Sequence, residues 1–401
     1  MTFPTPEGMD ERLLTGYSGR LLIFLSVGFM GVTVTRQLLP PLLPTIIEDL
    51  AITATTAGIA LSTMWGLYAL CHYPGGHLAD TLTRKTVLVA GCVSLTLGIC
   101  LMILSVSYPL FILSVVFIGC GAGFYFISVR VLLSEMYVQR RGAAFGLQMA
   151  LGFIGPILAA GLAVVALDLP TWRLVFVPLA VAMAIVLLLG HRWLWEPYDF
   201  AVSAPPVHAT AKRLFSNRNV GVFLGVYVLY QVTYLGYMGF LPTLLQTEKG
   251  FSPTLASAGF ATVFAVALVA LPVAGWLGDR VGHVRMALLG LAIATAGLVG
   301  LLIAVSIVGV LSGIVLFSIG IWTYPPVMQA YLMNQFADAS MGGDFGAFKT
   351  IYTGLGALSP SYVGIVADLA SYTLAFWTLG GCLGVAALIV AVQGLWGEFK
   401  S

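Results

Sequence analysis

Three cations stand where a chain this apolar has little reason to place them. Arg36 and Arg130 fall inside long apolar stretches, and Lys349 falls at the edge of another. An ionised side chain in hydrocarbon costs several kcal/mol, so it is kept where it lines a pathway or a site. No acidic residue accompanies these cations. Glu7, Asp10, Glu11, Glu48, Asp49, Asp80, Glu135, Asp168, Glu196, Asp199, Glu248, Asp279, Asp338, Asp344, Asp368 and Glu398 all lie in loops or at the ends of apolar stretches. Buried positive charge without a carboxylate suits an anion, which supplies the missing counter-charge. The expected chemistry is recognition rather than bond making. No nucleophile–base pair, phosphate loop or metal-ligand spacing is found, so no enzyme activity, cofactor or metal is expected. The five cysteines (Cys71, Cys92, Cys100, Cys120, Cys382) have no CxxC spacing and read as buried small apolar residues.

Arg36 lies 16 residues into its stretch, ~24 Å along a helix. It either reaches a central cavity or snorkels to the outer interface, with Pro40 and Pro41 ending the helix; we read a cavity residue. Arg130 either pairs with Glu135 five positions on, snorkels inward, or faces the same cavity; again we read the cavity. Lys349 reads as interfacial. Tyr227, Tyr230, Gln231 and Tyr234 recur at three or four residues and share a helix face, with Tyr237 beyond. Phenols and an amide hydrogen-bond a carboxylate or a hydroxylated substrate, although an aromatic packing stripe has the same pattern. Trp322, Tyr324, Gln329 and Asn334 offer a second polar and aromatic set, around a bend at Pro325 and Pro326. Phe124 and Tyr125 add aromatic surface. The expected substrate contacts are Arg36, Arg130, Tyr227, Tyr230, Gln231, Tyr234, Trp322 and Gln329. His72 is either a proton carrier or a packing residue.

The elements that must hold these residues are membrane helices. Of the 401 residues, 59% are apolar and only 8% charged, against roughly 25% charged in soluble domains. A soluble enzyme, a nucleic-acid binder and a disordered chain are excluded. A barrel is excluded because the apolar runs are continuous rather than alternating. Twelve runs of spanning length can be drawn: 20–44, 54–76, 86–106, 109–134, 143–167, 171–192, 219–243, 256–276, 285–305, 308–333, 347–367 and 372–396. The acidic Glu7, Asp10 and Glu11 are wrong for a cleaved signal peptide. With the N-terminus inside, thirteen Lys and Arg fall in cytoplasmic segments, and only Arg173 and Lys249 in outer loops. Both termini are therefore expected to be cytoplasmic in a multi-pass cell-membrane protein. The polar stretch 193–218, with Pro197, Pro205 and Pro206, reads as a cytoplasmic linker between bundles 1–192 and 219–401.

The two halves repeat. LPPLL at 39–43 is echoed by LPTLL at 241–245, and GHLADTLTRK at 76–85 by GWLGDRVGHVR at 275–285. Gly76 and Asp80 match Gly275 and Asp279 at one offset. On these motifs, with SEMYVQRRGAAFG (134–146) and WRLVF (172–176), the whole chain resembles the major facilitator superfamily. Thr83 departs from the Gly usual in the signature; Gly282 keeps it in the second copy.

That resemblance implies an all-α polytopic fold of twelve transmembrane helices in two pseudo-symmetric six-helix bundles, working by alternating access. It implies a gating motif at Gly76, Asp80 and Arg84, repeated at Gly275, Asp279 and Arg280. Lys85 reads as a headgroup anchor. The run GLYALCHYPGG (66–76), with Arg36 and Arg130, is similar to the anion:cation symporters, carriers of sugar acids and related carboxylates. In that group these arginines bind or gate the anion. Many members carry Asp before the first arginine, where this chain has Thr35, so coupling to H+ or Na+ stays open. The expected protein is a monomeric symporter of a small organic anion in the lipid bilayer. The alternative is an efflux carrier, suggested by the degenerate Gly-Pro motif of GLQMALGFIGPILAAG (146–161).

Overall fold

The computed structural model describes residues 13–72, 78, 82–194, 198, 218–333 and 341–398. Among these residues there are fourteen α-helices, one 3-10 helix and no strand. The helices are α1 (Gly16–Gln37), α2 (Leu39–Asp49), α3 (Ala54–Leu70), α4 (Arg84–Ile103), α5 (Tyr108–Met136), α6 (Arg141–Ala166) and α7 (Val177–Trp193), which follows the 3-10 turn Trp172–Phe176. They continue as α8 (Arg218–Thr247), α9 (Pro253–Val281), α10 (His283–Ile303), α11 (Ile307–Met333), α12 (Met341–Gly356), α13 (Ser359–Leu369) and α14 (Tyr372–Glu398).

Among the described residues, ten stretches are long and apolar enough to cross a membrane, α1 and α2 counting as one. The two expected spans outside that number are the second and the eleventh. The second is α3, whose described helix has 17 residues. The eleventh is divided into α12 and α13, of 16 and 11 residues. Pro360 in the first turn of α13 explains the break, since it has no N–H for the preceding helix. Pro40 and Pro41 act similarly in the first span. They do not end it; they occupy the first turn of α2, which carries the span on to Asp49.

The packing repeats with the sequence. α4 lies against α5, α3 against α5, α4 against α7 and α1 against α6; the second half pairs α10 with α11, α9 with α11, α10 with α14 and α8 with α12. The tightest crossings use glycines that only close backbone approach explains. A Cβ on Gly121 would lie 2.5 Å from the Leu95 backbone nitrogen, and one on Gly320 would lie 2.2 Å from that of Ala294. Gly98 meets the Ile118 nitrogen at 2.8 Å, and Gly297 meets that of Phe317 at 2.1 Å. Each second residue lies 199 positions after its counterpart, the offset of the GHLAD and GWLGD motifs.

The halves meet where α3 crosses α12 and α13, where α6 meets α9, and where α2 meets α8. On the face bearing Asp49 and Asp368, here the far face, the contact is close. Cβ atoms on Gly58 and Gly364 would lie 2.3 Å from the Pro360 carbonyl oxygen and 2.2 Å from that of Ala54. Asp368 accepts hydrogen bonds from the backbone N–H of Ala54 at 3.1 Å and of Thr55 at 2.8 Å. A carboxylate from one half thus caps the N-terminus of α3 in the other. Further along the same crossing the backbones diverge: a Cβ on Gly66 or Gly354 would find its nearest neighbour at 4.0 or 3.9 Å.

Candidate functional site

The middle of the interface between the halves holds the cations. Arg36 is in the last turn of α1 and is buried, 4% exposed. Its guanidinium lies over two rings of α3, 4.1 Å from the centroid of Tyr68 and 4.7 Å from that of Trp65. Its Nε and Nη1 are buried and hydrogen-bond to nothing in the described structure. Buried donors without partners in a folded protein call for an explanation, and a ligand is one.

Phe126 on α5 is the hub. His72 packs on it at 5.2 Å between centroids and Tyr68 at 6.1 Å. The Arg130 guanidinium lies 5.1 Å from its centroid and the Lys349 ammonium 4.1 Å. Arg130 also lies 4.8 Å from Phe145 and donates to Met149 Sδ at 3.3 Å, while its Nε is buried without a partner. Between those two contacts on α6, both amide atoms of Gln148 are buried and unpartnered. Arg36 and Arg130 lie within electrostatic reach of both His72 and Lys349. Among the described side chains, this cluster contains no carboxylate.

One expectation is corrected here, and one alternative falls away. Lys349 was expected at the interface. Its helix begins at Met341 rather than at 347, which sets the lysine eight residues, ~12 Å, inside it; the side chain is half-buried. The Gly-Gly-Asp at 342–344 looks like a loop but lies in the first turn of α12. The Arg130–Glu135 pairing does not form, because Glu135 is taken by Arg84 of α4 at 2.5 Å.

The second wall is aromatic. Tyr227 packs against Tyr324 at 5.0 Å and Tyr352 at 4.8 Å, and Tyr230 against Tyr324 at 4.9 Å. Tyr234 lies 5.4 Å from Trp322, which meets Phe153 of the other half at 5.0 Å. Tyr234 is also close enough to Arg36 to feel its charge. Tyr230 donates to the Ile321 carbonyl at 3.0 Å, and Trp322 Nε1 to that of Val263 at 2.9 Å, so those two donors are engaged. Gln231 is buried against Gly356. Tyr237 stacks on Phe317 at 3.9 Å in the packing of the second bundle. Gln329, the repeat counterpart of Arg130, is exposed. Asn334 lies outside the described residues.

Of the gating residues, Gly76 and Asp80 lie outside the described residues. Arg84 holds Glu135, tying α4 to the end of α5. In the second copy Asp279 faces His283 at 3.7 Å, and Arg280 lies 3.8 Å from the Trp276 ring; Gly275 has open space around it. The Lys85 ammonium lies 4.9 Å from the Tyr198 ring. Cys71 and Cys92 are buried as expected, but Cys100 is exposed on the outer surface of α4.

Sequence reasoning missed Trp65, Tyr68, Phe126 and Tyr352. The first two have a legible signal. Trp65, Tyr68 and His72 recur at helical spacing on one face, and Phe126 precedes Arg130 by four.

The chain belongs to the Major Facilitator Superfamily, which its sequence matches over residues 25–360. The proteins it is similar to are transporters by name, not enzymes. One is the "Probable nitrate/nitrite transporter NarK2" of Mycobacterium tuberculosis, 27% identical over 64% of this chain and 65% of that one. The chain thus spans about two thirds of that relative's length. Another is the 3-(3-hydroxy-phenyl)propionate transporter of Escherichia coli, 29% identical over 80% of this chain and 78% of that one. Among solved structures, a bacterial homologue of the human lysosomal transporter Spinster, inward-facing and occupied, shares the fold. Its TM-score is 0.80 at 16% identity, over 96% of this chain and 98% of that one.

Proposed function

We propose that this protein is a secondary transporter moving a small organic anion across the cytoplasmic membrane by alternating access. One observation carries the reading: Arg36, Arg130 and Lys349 converge from both halves on the rings around Phe126, with no described carboxylate to neutralise them. Three cations in a low-dielectric cleft repel one another, and a bound anion relieves that repulsion. Tyr234 and Gln231 complete the wall as donors to a carboxylate. The names of the relatives, a nitrate/nitrite and a hydroxyphenylpropionate transporter, point to anionic cargo. A ring-bearing or hydroxylated carboxylate suits a site with this much aromatic surface.

In this reading residues 1–192 and 219–401 are the two bundles that rock about the site, joined by the linker 193–218. The Lys and Arg bias puts both termini in the cytoplasm. The far face is then the outside, and the Asp368 cap on α3 closes it. The protein works as a monomer. An exporter of cationic drugs would need a carboxylate at this cluster, where the described side chains offer cations instead.

The test is uptake by liposomes holding the purified protein, with 3-(3-hydroxyphenyl)propionate and nitrate as probes. Uptake above empty liposomes that is lost in Arg36→Ala supports the reading. Uptake of neither anion, or equal uptake by Arg36→Ala and Arg130→Ala, refutes it.

A further inference from the structure

We propose that Lys349 is the proton-coupling group of this transporter, taking up one proton with each anion and releasing both on the other side. The inference deepens the anion reading and rests on it. Three observations lead to it. First, Lys349 is the one cation that the second half brings to the cluster among the described residues; Arg36, Arg130 and His72 all belong to the first. Rocking the halves therefore changes the distance from Lys349 to both arginines, while the arginines keep their own spacing. Second, guanidinium groups stay charged at any physiological pH, whereas a lysine amine exchanges its proton when its surroundings change. Third, Lys349 is only half-buried, whereas both His72 nitrogens are buried without a partner between Tyr68 and Phe126.

The groups presented toward this cluster are Arg36 from α1, Tyr68 from α3 and His72 just beyond its end, Arg130 from α5, Tyr227, Tyr230 and Tyr234 from α8, and Tyr352 from α12 itself. None is a carboxylate. Without cargo, an ammonium at Lys349 faces two guanidinium charges across a cleft of low dielectric. A carboxylate seated between them attracts the ammonium and screens it from both. Anion and proton therefore favour each other's binding, and linkage makes that coupling reciprocal. The balance is simple: amine, proton and monoanion combine to an ammonium–carboxylate pair, and separation of the halves releases the anion and the proton. Carrying a monoanion with one proton moves no net charge.

The test is calorimetric titration of the full-length protein in detergent with 3-(3-hydroxyphenyl)propionate and with nitrate. Each titration is run in two buffers of different ionisation enthalpy, which gives the protons taken up per anion bound. Wild type is expected to take up about one proton per anion. Lys349→Arg, fixed in the charged form, is expected to bind the anion with no proton uptake, and Lys349→Gln to take up none. His72→Gln is expected to keep the wild-type stoichiometry. Anion binding without protons in wild type overturns the inference, as does retained uptake in Lys349→Arg or lost uptake in His72→Gln. If neither Lys349 variant folds, Arg130→Gln decides: lower uptake supports the coupling and unchanged uptake overturns it. If neither anion binds wild type, the anion reading fails, and the inference fails with it.

Discussion

Lys349 and Phe126 face each other across the seam between the halves, with the ammonium 4.1 Å from the ring centroid. The same ring takes the guanidinium of Arg130 at 5.1 Å. Two cations from opposite halves thus share one aromatic ring. Under the proposed function, a bound anion relieves their repulsion.

Replacement of Phe126 should therefore cost more than a packing residue. Phe126→Ala removes a ring shared by His72, Tyr68, Arg130 and Lys349. Truncating a buried Phe costs about 3–5 kcal/mol in a core. Anion affinity should fall with stability, and Phe126→Tyr should keep most of both. Thermal unfolding in detergent with and without added anion separates the two effects.

The Arg84–Glu135 pair is part-buried, with side chains 20% and 33% exposed. Breaking it should destabilise the protein by about 1–3 kcal/mol, between the values for exposed and buried pairs. Arg84→Ala and Glu135→Gln should lower the unfolding temperature by similar amounts. The doubly exchanged Arg84→Glu, Glu135→Arg protein should recover part of the loss. No recovery would mean that the pair contributes nothing as a pair.

Gly121 and Gly320 make the same crossing in the two halves. Gly121→Ala and Gly320→Ala each place a methyl group under 3 Å from backbone, an overpacking that costs about 1–3 kcal/mol. Gly161→Ala, with nothing within 4 Å of its Cβ, is the matched control. Unfolding temperatures should drop in the first two proteins and hold in the third.

The Asp368 cap should bias the conformational equilibrium toward a closed far face. A helix cap contributes about 1–2 kcal/mol, a factor of about 5–30 in population. Asp368→Ala should open the far face by that factor. Distances between spin labels placed on the far-face loops at 50–53 and 370–371 should lengthen in the variant. An unchanged distribution would show that the cap does not hold the closed face.

Much of this was legible in the sequence, for physical reasons. Long apolar runs have one solution in a bilayer, so the spanning helices followed, ten of them long and apolar enough among the described residues. The repeat offset set the pairing of the halves, and it also carried the crossings at Gly121 and Gly320. Arg36 and Arg130 were legible because a charge inside an apolar run has few uses. Lys349 was not, because Gly342, Gly343 and Asp344 imitate a loop while forming the first turn of α12. Phe126 had a signal in its spacing of four from Arg130, but in so aromatic a chain that spacing marks no ring until its neighbours are known. Tyr230 and Trp322 had the right chemistry, but their donors are spent on Ile321 and Val263.

The most direct measurement is anion uptake by liposomes carrying the wild-type protein or Arg36→Ala, with folding of both checked by thermal unfolding. Loss of a charged hydrogen-bond donor to the cargo costs about 1.5–3 kcal/mol, a drop of roughly tenfold to over a hundredfold in affinity. Uptake in the wild type, with at least a tenfold loss in a folded Arg36→Ala protein, is the predicted result. Equal uptake by the two proteins would contradict the assignment of this cluster as the anion site.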